Sequence, residues 1–152
     1  MTEPTHATPR DQALDRLARA AYSLSAADSR LRGRATRTAG ALSLTHARAM
    51  RALADQGPLT ITQLAAATET TSAAATQLVS GLVRAGYVTR ERPANDKRSV
   101  LVALTDIGRR RHNERQAILT TALDTALAHH DSTALDAATD VLWQLATIYD
   151  QL

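Results

Sequence analysis

Tyr87-Val88-Thr89-Arg90-Glu91-Arg92-Pro93-Ala94-Asn95-Asp96-Lys97-Arg98-Ser99-Val100-Leu101-Val102-Ala103-Leu104-Thr105-Asp106-Ile107-Gly108 is the stretch that sets the architecture of this chain. Tyr87 to Arg90 and Ser99 to Leu104 carry the aromatic, β-branched and short apolar runs of strands. Pro93-Ala94-Asn95-Asp96 between them is turn chemistry, so the pair predicts a hairpin with a polar, charged tip. Thr105 has the side chain of a helix cap, and a long helix is expected from there to about His130.

Working outward, a helix is expected from Thr71 or Ser72 to Ala85, ending at Gly86. Before it comes a short helix with Thr62 as its cap and Leu64 and Ala65 inward, preceded by a brief extended piece, Leu59-Thr60-Ile61. Gly57-Pro58 stops another helix, Thr45 to Asp55, which buries Ala49, Met50 and Leu53. Thr8-Pro9-Arg10-Asp11 is a helix start, with a Thr cap, Pro at the first helical position and an acid three residues after the cap. Leu14, Leu17, Ala21, Leu24 and Leu31 follow at near-heptad spacing, and Arg32-Gly33-Arg34 through Gly40 loosens or ends that helix. At the other end Asp131 or Ser132 caps a helix carrying Leu135, Val141, Leu142, Leu145 and Ile148. Met1 to Ala7 is expected to be a disordered tail.

The chain has 152 residues, enough for one domain with a real core, and no cysteine, which excludes disulfide scaffolds, thiolate nucleophiles and cysteine zinc or redox sites. Aromatic residues make up 3% with no Phe, and Ala is plentiful, which favours helices packed through small residues. No window approaches the ~20 apolar residues of a membrane span and no signal peptide opens the chain, so no membrane partner and a cytoplasmic location are expected. Between Arg30 and Arg111 lie 14 of the 18 basic residues and 5 of the 15 acids, a local balance of +9 that leaves the two ends at −6. A basic middle between acidic ends suits a polyanion, although arginine also fills solvated helix faces.

Two helices joined by a tight turn and followed at once by an arginine-rich hairpin is the order of a winged helix-turn-helix, so the expected class is mainly α with a small β-hairpin wing. In that arrangement the second helix fits the major groove of DNA, ~12 Å wide, and the hairpin reaches the backbone or the neighbouring minor groove. At 100° per residue, Ala75, Leu78, Val79, Leu82 and, at the edge, Val83 form the core side of that helix. Thr70, Ala73, Gln77, Ser80, Gly81 and Arg84 lie opposite, with Ala74 and Thr76 on the flanks. This face is small and carries no acid. Ala or a Thr methyl can touch a thymine methyl there, and Gln77 is the one long side chain able to form a paired hydrogen bond, adenine being the favoured partner. An ordinary solvated helix would also tolerate such a face. Gly81 costs roughly 1 kcal/mol relative to Ala inside a helix, so a close approach by another group is expected there.

The run Asp96 to Gly108 resembles the wing of the multiple-antibiotic-resistance-regulator (MarR) family, with its D-x-R at the tip and its L-T-x-x-G opening the next helix. Leu59-Thr60, Leu64-Ala65, Thr76, Leu78-Val79, Leu82, Gly86 and Val88 fall into the same pattern without a gap, and the resemblance covers residues 43 to 110. It implies a homodimer that binds a pseudo-palindromic operator and represses transcription, with the first and last two helices forming the dimer interface. The chain then divides into a tail (1–8), an N-terminal dimerisation helix and connector (9–42), a winged helix-turn-helix (43–108) and C-terminal dimerisation helices (109–152). By the same resemblance Arg98 is the wing arginine that enters or borders the minor groove, and Asp96 the carboxylate that holds its guanidinium; an exposed hairpin-tip ion pair is the plainer role for both. Thr71, Ala73, Ala74, Thr76 and Gln77 are the expected groove contacts, and Arg84, Arg90, Arg92 and Lys97 the expected phosphate contacts. The chain departs from the family at Ala73-Ala74, where Ser or Thr is common, at Gln77, where Arg is frequent, and at Ser80-Gly81, where Asp-Arg is frequent. These changes alter operator choice and leave the phosphate contacts in place.

Many members of that family release DNA on binding a small, often aromatic acid, and the candidate contacts here are His46, Met50, Arg51 and Arg111, the last within the Arg109 to Arg115 stretch. An arginine beside an apolar wall suits a carboxylate. His112, His129 and His130 do not make a metal site on one helix, since 17 residues of helical rise separate the first two by ~25 Å. Glycine-rich phosphate loops, H-E-x-x-H, G-x-S-x-G and paired catalytic carboxylates are missing, so no catalytic residue, metal or cofactor is expected. The rival class is a helical interaction protein whose winged domain binds protein instead of DNA.

Overall fold

The fold follows from where the chain can end its helices. The computed structural model describes residues 7–35, 37, 42–96 and 98–152; the expected tail at 1–6, residues 36 and 38–41 of the connector, and Lys97 lie outside the described residues. The described elements are α1 (Pro9–Ala35), α2 (Leu44–Gln56), β1 (Leu59–Thr60), α3 (Ile61–Ala67), α4 (Ser72–Arg84), β2 (Val88–Glu91), β3 (Leu101–Leu104), α5 (Asp106–Ala126) and α6 (Ser132–Tyr149). Four of these helices start on a side chain in extended backbone that accepts a main-chain N–H of the first turn: Ser43 from His46, Thr71 from Ala74, Thr105 from Gly108 and Asp131 from Ala134. Thr8 does the same for α1, taking the Asp11 N–H while its own N–H and hydroxyl bond the Asp11 carboxylate. That reciprocal arrangement holds the Asp11 carboxyl below the usual carboxylate range.

Three expectations need correction. The cap of α3 is Thr60, not Thr62: Thr60 accepts the Gln63 N–H, the Gln63 side chain accepts the Thr60 N–H, and this reciprocal pair fixes the start two residues earlier. α1 continues through Gly33 to Ala35. α5 ends at Ala126, so His129 and His130 belong to the turn before α6 rather than to one long helix with His112.

The strands pair in the order β1-β3-β2, all antiparallel. Leu59 faces Val102, and Val88 faces Leu104. The chain separates into two compact units, residues 32–127 and residues 1–31 with 128–152. The first has a core of its own: Ala49, Met50 and Leu53 of α2, Leu64 of α3, Leu78, Val79 and Leu82 of α4, and Leu59, Val88 and Val102 of the sheet. The second is built differently. α6 has no buried residue, and Leu135, Leu142, Trp143, Ile148 and Tyr149 along it, with Leu14, Tyr22 and Leu24 of α1, are exposed.

Gly108 shows why the sheet and α5 meet so tightly. A Cβ there would fall onto the Tyr87 carbonyl oxygen, 2.8 Å from its carbonyl carbon. That same oxygen accepts the Thr105 N–H at 3.0 Å, and the Thr105 hydroxyl donates to the Gly86 carbonyl at 2.7 Å. Gly86 itself has φ +77°, the left-handed turn that lets the chain leave α4 and enter β2.

Candidate nucleic-acid interface

α4 buries Ala75, Leu78, Val79 and Leu82 and turns Thr71, Ser72, Ala73, Ala74, Thr76, Gln77 and Arg84 to solvent, the division its periodicity predicts. Its approach is set by the turn before it. Glu69 adopts φ +53°, unusual for a residue with a side chain, and the Thr70 N–H reaches back to the Ala65 carbonyl at 3.0 Å. Arg48 of α2 braces this turn, donating to the Thr68 carbonyl and the Glu69 carboxylate, each at 3.3 Å. Both charged side chains are exposed, so the pair orients more than it stabilises.

The hydroxyls on the exposed face are ordered along the helix. Thr76 donates to the Ser72 carbonyl at 2.9 Å and Ser80 to the Thr76 carbonyl at 3.0 Å. The Arg90 guanidinium donates from Nη2 to the Ser80 oxygen at 2.8 Å. Alternation along β2 explains the contact: Arg90 shares its face with the buried Val88, beyond whose edge lies α4, while Thr89 and Glu91 take the other face and bond each other at 3.3 Å. Sequence reasoning placed Arg90 near phosphate but missed its partner, for which no motif gives a signal.

At the wing tip Asp96 has a different role from the one the resemblance implies. Its carboxylate accepts the Arg98 backbone N–H at 2.9 Å and the Ser99 hydroxyl at 2.8 Å, so it shapes the turn locally as short acidic side chains do. These bonds hold its carboxyl below the usual carboxylate range. Among the described residues the Arg98 guanidinium has no ion-pair partner. Arg84, Arg92 and Arg98 are exposed.

The four expected ligand contacts do not form one set. Met50 is fully buried in the core beside Leu53 and Leu82, which removes it from any open crevice lining. Arg51 is exposed and pairs with Asp55 at 3.6 Å. His46 bonds the Ser43 hydroxyl through Nδ1 at 2.8 Å, and its Nε2 lies 3.6 Å from where a Cβ of Gly81 would stand. That is ordinary van der Waals contact, so the close approach expected at Gly81 is not found there, and burial keeps the imidazole below the ordinary histidine range. Arg111 is partly buried at the start of α5, and on the same helix His112 is also held down, first by burial and then by Arg51 and Arg109, with Asp55 opposing. Among the described residues no group of three or more His, Asp or Glu side chains is placed to hold a metal ion, and no helix is long and apolar enough to cross a membrane.

This geometry agrees with known proteins. The model of the MarR family matches residues 42–99. A probable transcriptional regulator from Pseudomonas aeruginosa is 25% identical over 82% of this chain and 95% of its own, with a TM-score of 0.65. The MarR family transcription regulator SP03579 superposes with a TM-score of 0.70 at 21% identity, covering 92% of this chain and 89% of its own. BpsR of Bordetella bronchiseptica, described as regulated in its DNA binding by 6-hydroxynicotinic acid, superposes with a TM-score of 0.64 at 20% identity, covering 88% and 98%. Comparison with curated proteins gives no match. Residues 42–99 thus match the model of the MarR family, and beyond that segment the chain shares the fold of solved transcriptional regulators.

Proposed function

We propose that the chain is a non-enzymatic, cytoplasmic, sequence-specific binder of double-stranded DNA that represses transcription as a homodimer on a pseudo-palindromic operator. The observation that carries this reading is the exposed, acid-free face of α4 flanked by Arg84, Arg90, Arg92 and Arg98. Thr71, Ala73, Ala74, Thr76 and Gln77 line the groove, with Gln77 the hydrogen-bonding reader, Arg84, Arg90, Arg92 and Lys97 on phosphate, and Arg98 at the minor groove. Dimerisation is supported by α6, an apolar helix with no buried residue, and by the exposed apolar side chains of α1. Such faces need a cover, and a second copy supplies one by twofold symmetry.

The test is a salt titration on duplexes selected from a random pool. The logarithm of affinity should fall with the logarithm of salt by about 0.9 per neutralised phosphate, and footprints should show half-sites about one helical turn apart. A salt-independent affinity would sink the reading and leave the protein-interaction alternative. Release by a small aromatic acid is supported by the relative whose DNA binding responds to 6-hydroxynicotinic acid, and by the arginines near His112. His46, Arg51 and Arg111 remain its candidate contacts. A screen of aromatic carboxylates against the bound complex, read by loss of the shifted band, checks it.

A further inference from the structure

Arg90 sits on a wing strand, yet its guanidinium is anchored on the exposed side of α4. The anchor is neutral. Ser80 gives its proton to the Thr76 carbonyl and so presents only lone pairs outward, one of which takes the Arg90 Nη2 donor at 2.8 Å. The arrangement uses one of five guanidinium N–H groups and none of its charge. We propose that Ser80 is a positioning residue that holds Arg90 beside the reading helix as an un-neutralised phosphate contact, so that one charge per subunit is delivered at the edge of the major groove rather than at the wing tip. This inference rests on the DNA-binding reading above and deepens it.

The chemistry makes a distinctive prediction, because position and charge can be removed separately. A carboxylate in place of the hydroxyl would still anchor the guanidinium but would neutralise it before DNA arrives. A methyl group would leave the charge and remove the anchor. On a selected duplex, Ser80→Ala should weaken binding about fivefold per half-site, the worth of one net hydrogen bond, and leave the salt slope at the wild-type value. Ser80→Asp should lower the slope by about 1.8 for the dimer, two phosphates at 0.9 each, as should Arg90→Ala. Ser80→Asn, of equal size and no charge, should keep the wild-type slope, and Ser80→Thr should restore both affinity and slope.

The deciding arm is the double variant. If Asp acts through Arg90, Ser80→Asp should change the slope little once Arg90→Ala is present. A full further loss of slope in that background would show simple repulsion of DNA by the new acid and overturn the proposal. So would a wild-type slope for Arg90→Ala, or wild-type affinity for Ser80→Ala. If instead the unaltered protein has no salt-dependent affinity for any duplex, it is the DNA-binding reading that fails, and this inference with it.

Discussion

Residues 32–127 and the two chain ends are made of similar helices but solve burial in opposite ways. The central unit encloses Met50, Leu53, Leu64, Leu82 and Val102 at 2% exposure or less, whereas α6 encloses nothing. Charge divides along the same line, with 14 basic and 7 acidic residues in the central unit against 4 and 8 in the ends. A unit with its own core can hold side chains to hydrogen-bond precision, as it does for Arg90 on Ser80 and Asp96 in the wing turn. The ends have an exposed apolar surface, and under the proposed homodimer their stability would depend on protein concentration.

The sharpest way to break this contrast lies at the seam of the central unit. Gly108→Ala drives a methyl group into the Tyr87 carbonyl, where backbone meets backbone and cannot yield; thermal unfolding should show a loss of about 4 kcal/mol or more. Next, Leu53→Ala should cost about 2–5 kcal/mol at any protein concentration. Leu142→Ala on α6 should spare that transition and instead raise the dimer dissociation constant. Trp143, the only tryptophan and 63% exposed, reports this directly: its emission should move to the red on dilution. An emission independent of concentration would mean that the ends are not covered by a second copy.

Smaller effects sharpen the picture of the wing. Arg98→Ala should weaken operator binding by about 1–3 kcal/mol in a gel-shift titration, and unchanged affinity would remove it from the contacts. Asp96→Asn should behave nearly as wild type, since its amide oxygen can take the Arg98 N–H while its NH2 donates to the Ser99 hydroxyl instead of accepting from it, whereas Asp96→Ala should loosen the turn. The smallest effect concerns His46. Because burial lowers its folded pKa, the unfolded chain binds the proton more readily. The stability is complete above the ordinary histidine value of about 6.5 and declines as pH falls below it toward the lowered folded value. Urea midpoints at pH 7.5 and 5.5 should differ less in His46→Gln than in the wild type.

Periodicity and caps were enough to place the helices and the inward face of α4, because burial of a stripe is a property of single residues in order. Thr60 and Gln63 form a capping box legible in the sequence, two residues before the expected Thr62 cap. Gly81 suggests a close approach, yet its nearest neighbour, His46, stays at ordinary contact distance, and nothing in the structure explains the glycine. Other features were hidden for a physical reason. Arg90 on Ser80, Arg48 on Glu69 and the Tyr87 carbonyl over Gly108 join residues that are near only after the fold has formed. Asp96 misled through chemistry: a carboxylate beside an arginine suggests an ion pair, yet the backbone amide two residues on is nearer at hand.

The junction at Gly108 has a mechanical consequence. With Thr105 bonded to both Gly86 and Tyr87, the end of α4, the root of β2 and the start of α5 form one joint with little play. The 21 residues of α5 extend about 31 Å from it, so a turn of about 5° there sweeps the far end through about 3 Å. A displacement near Ala126 would therefore reach the end of α4, the helix proposed to read the groove, through this joint.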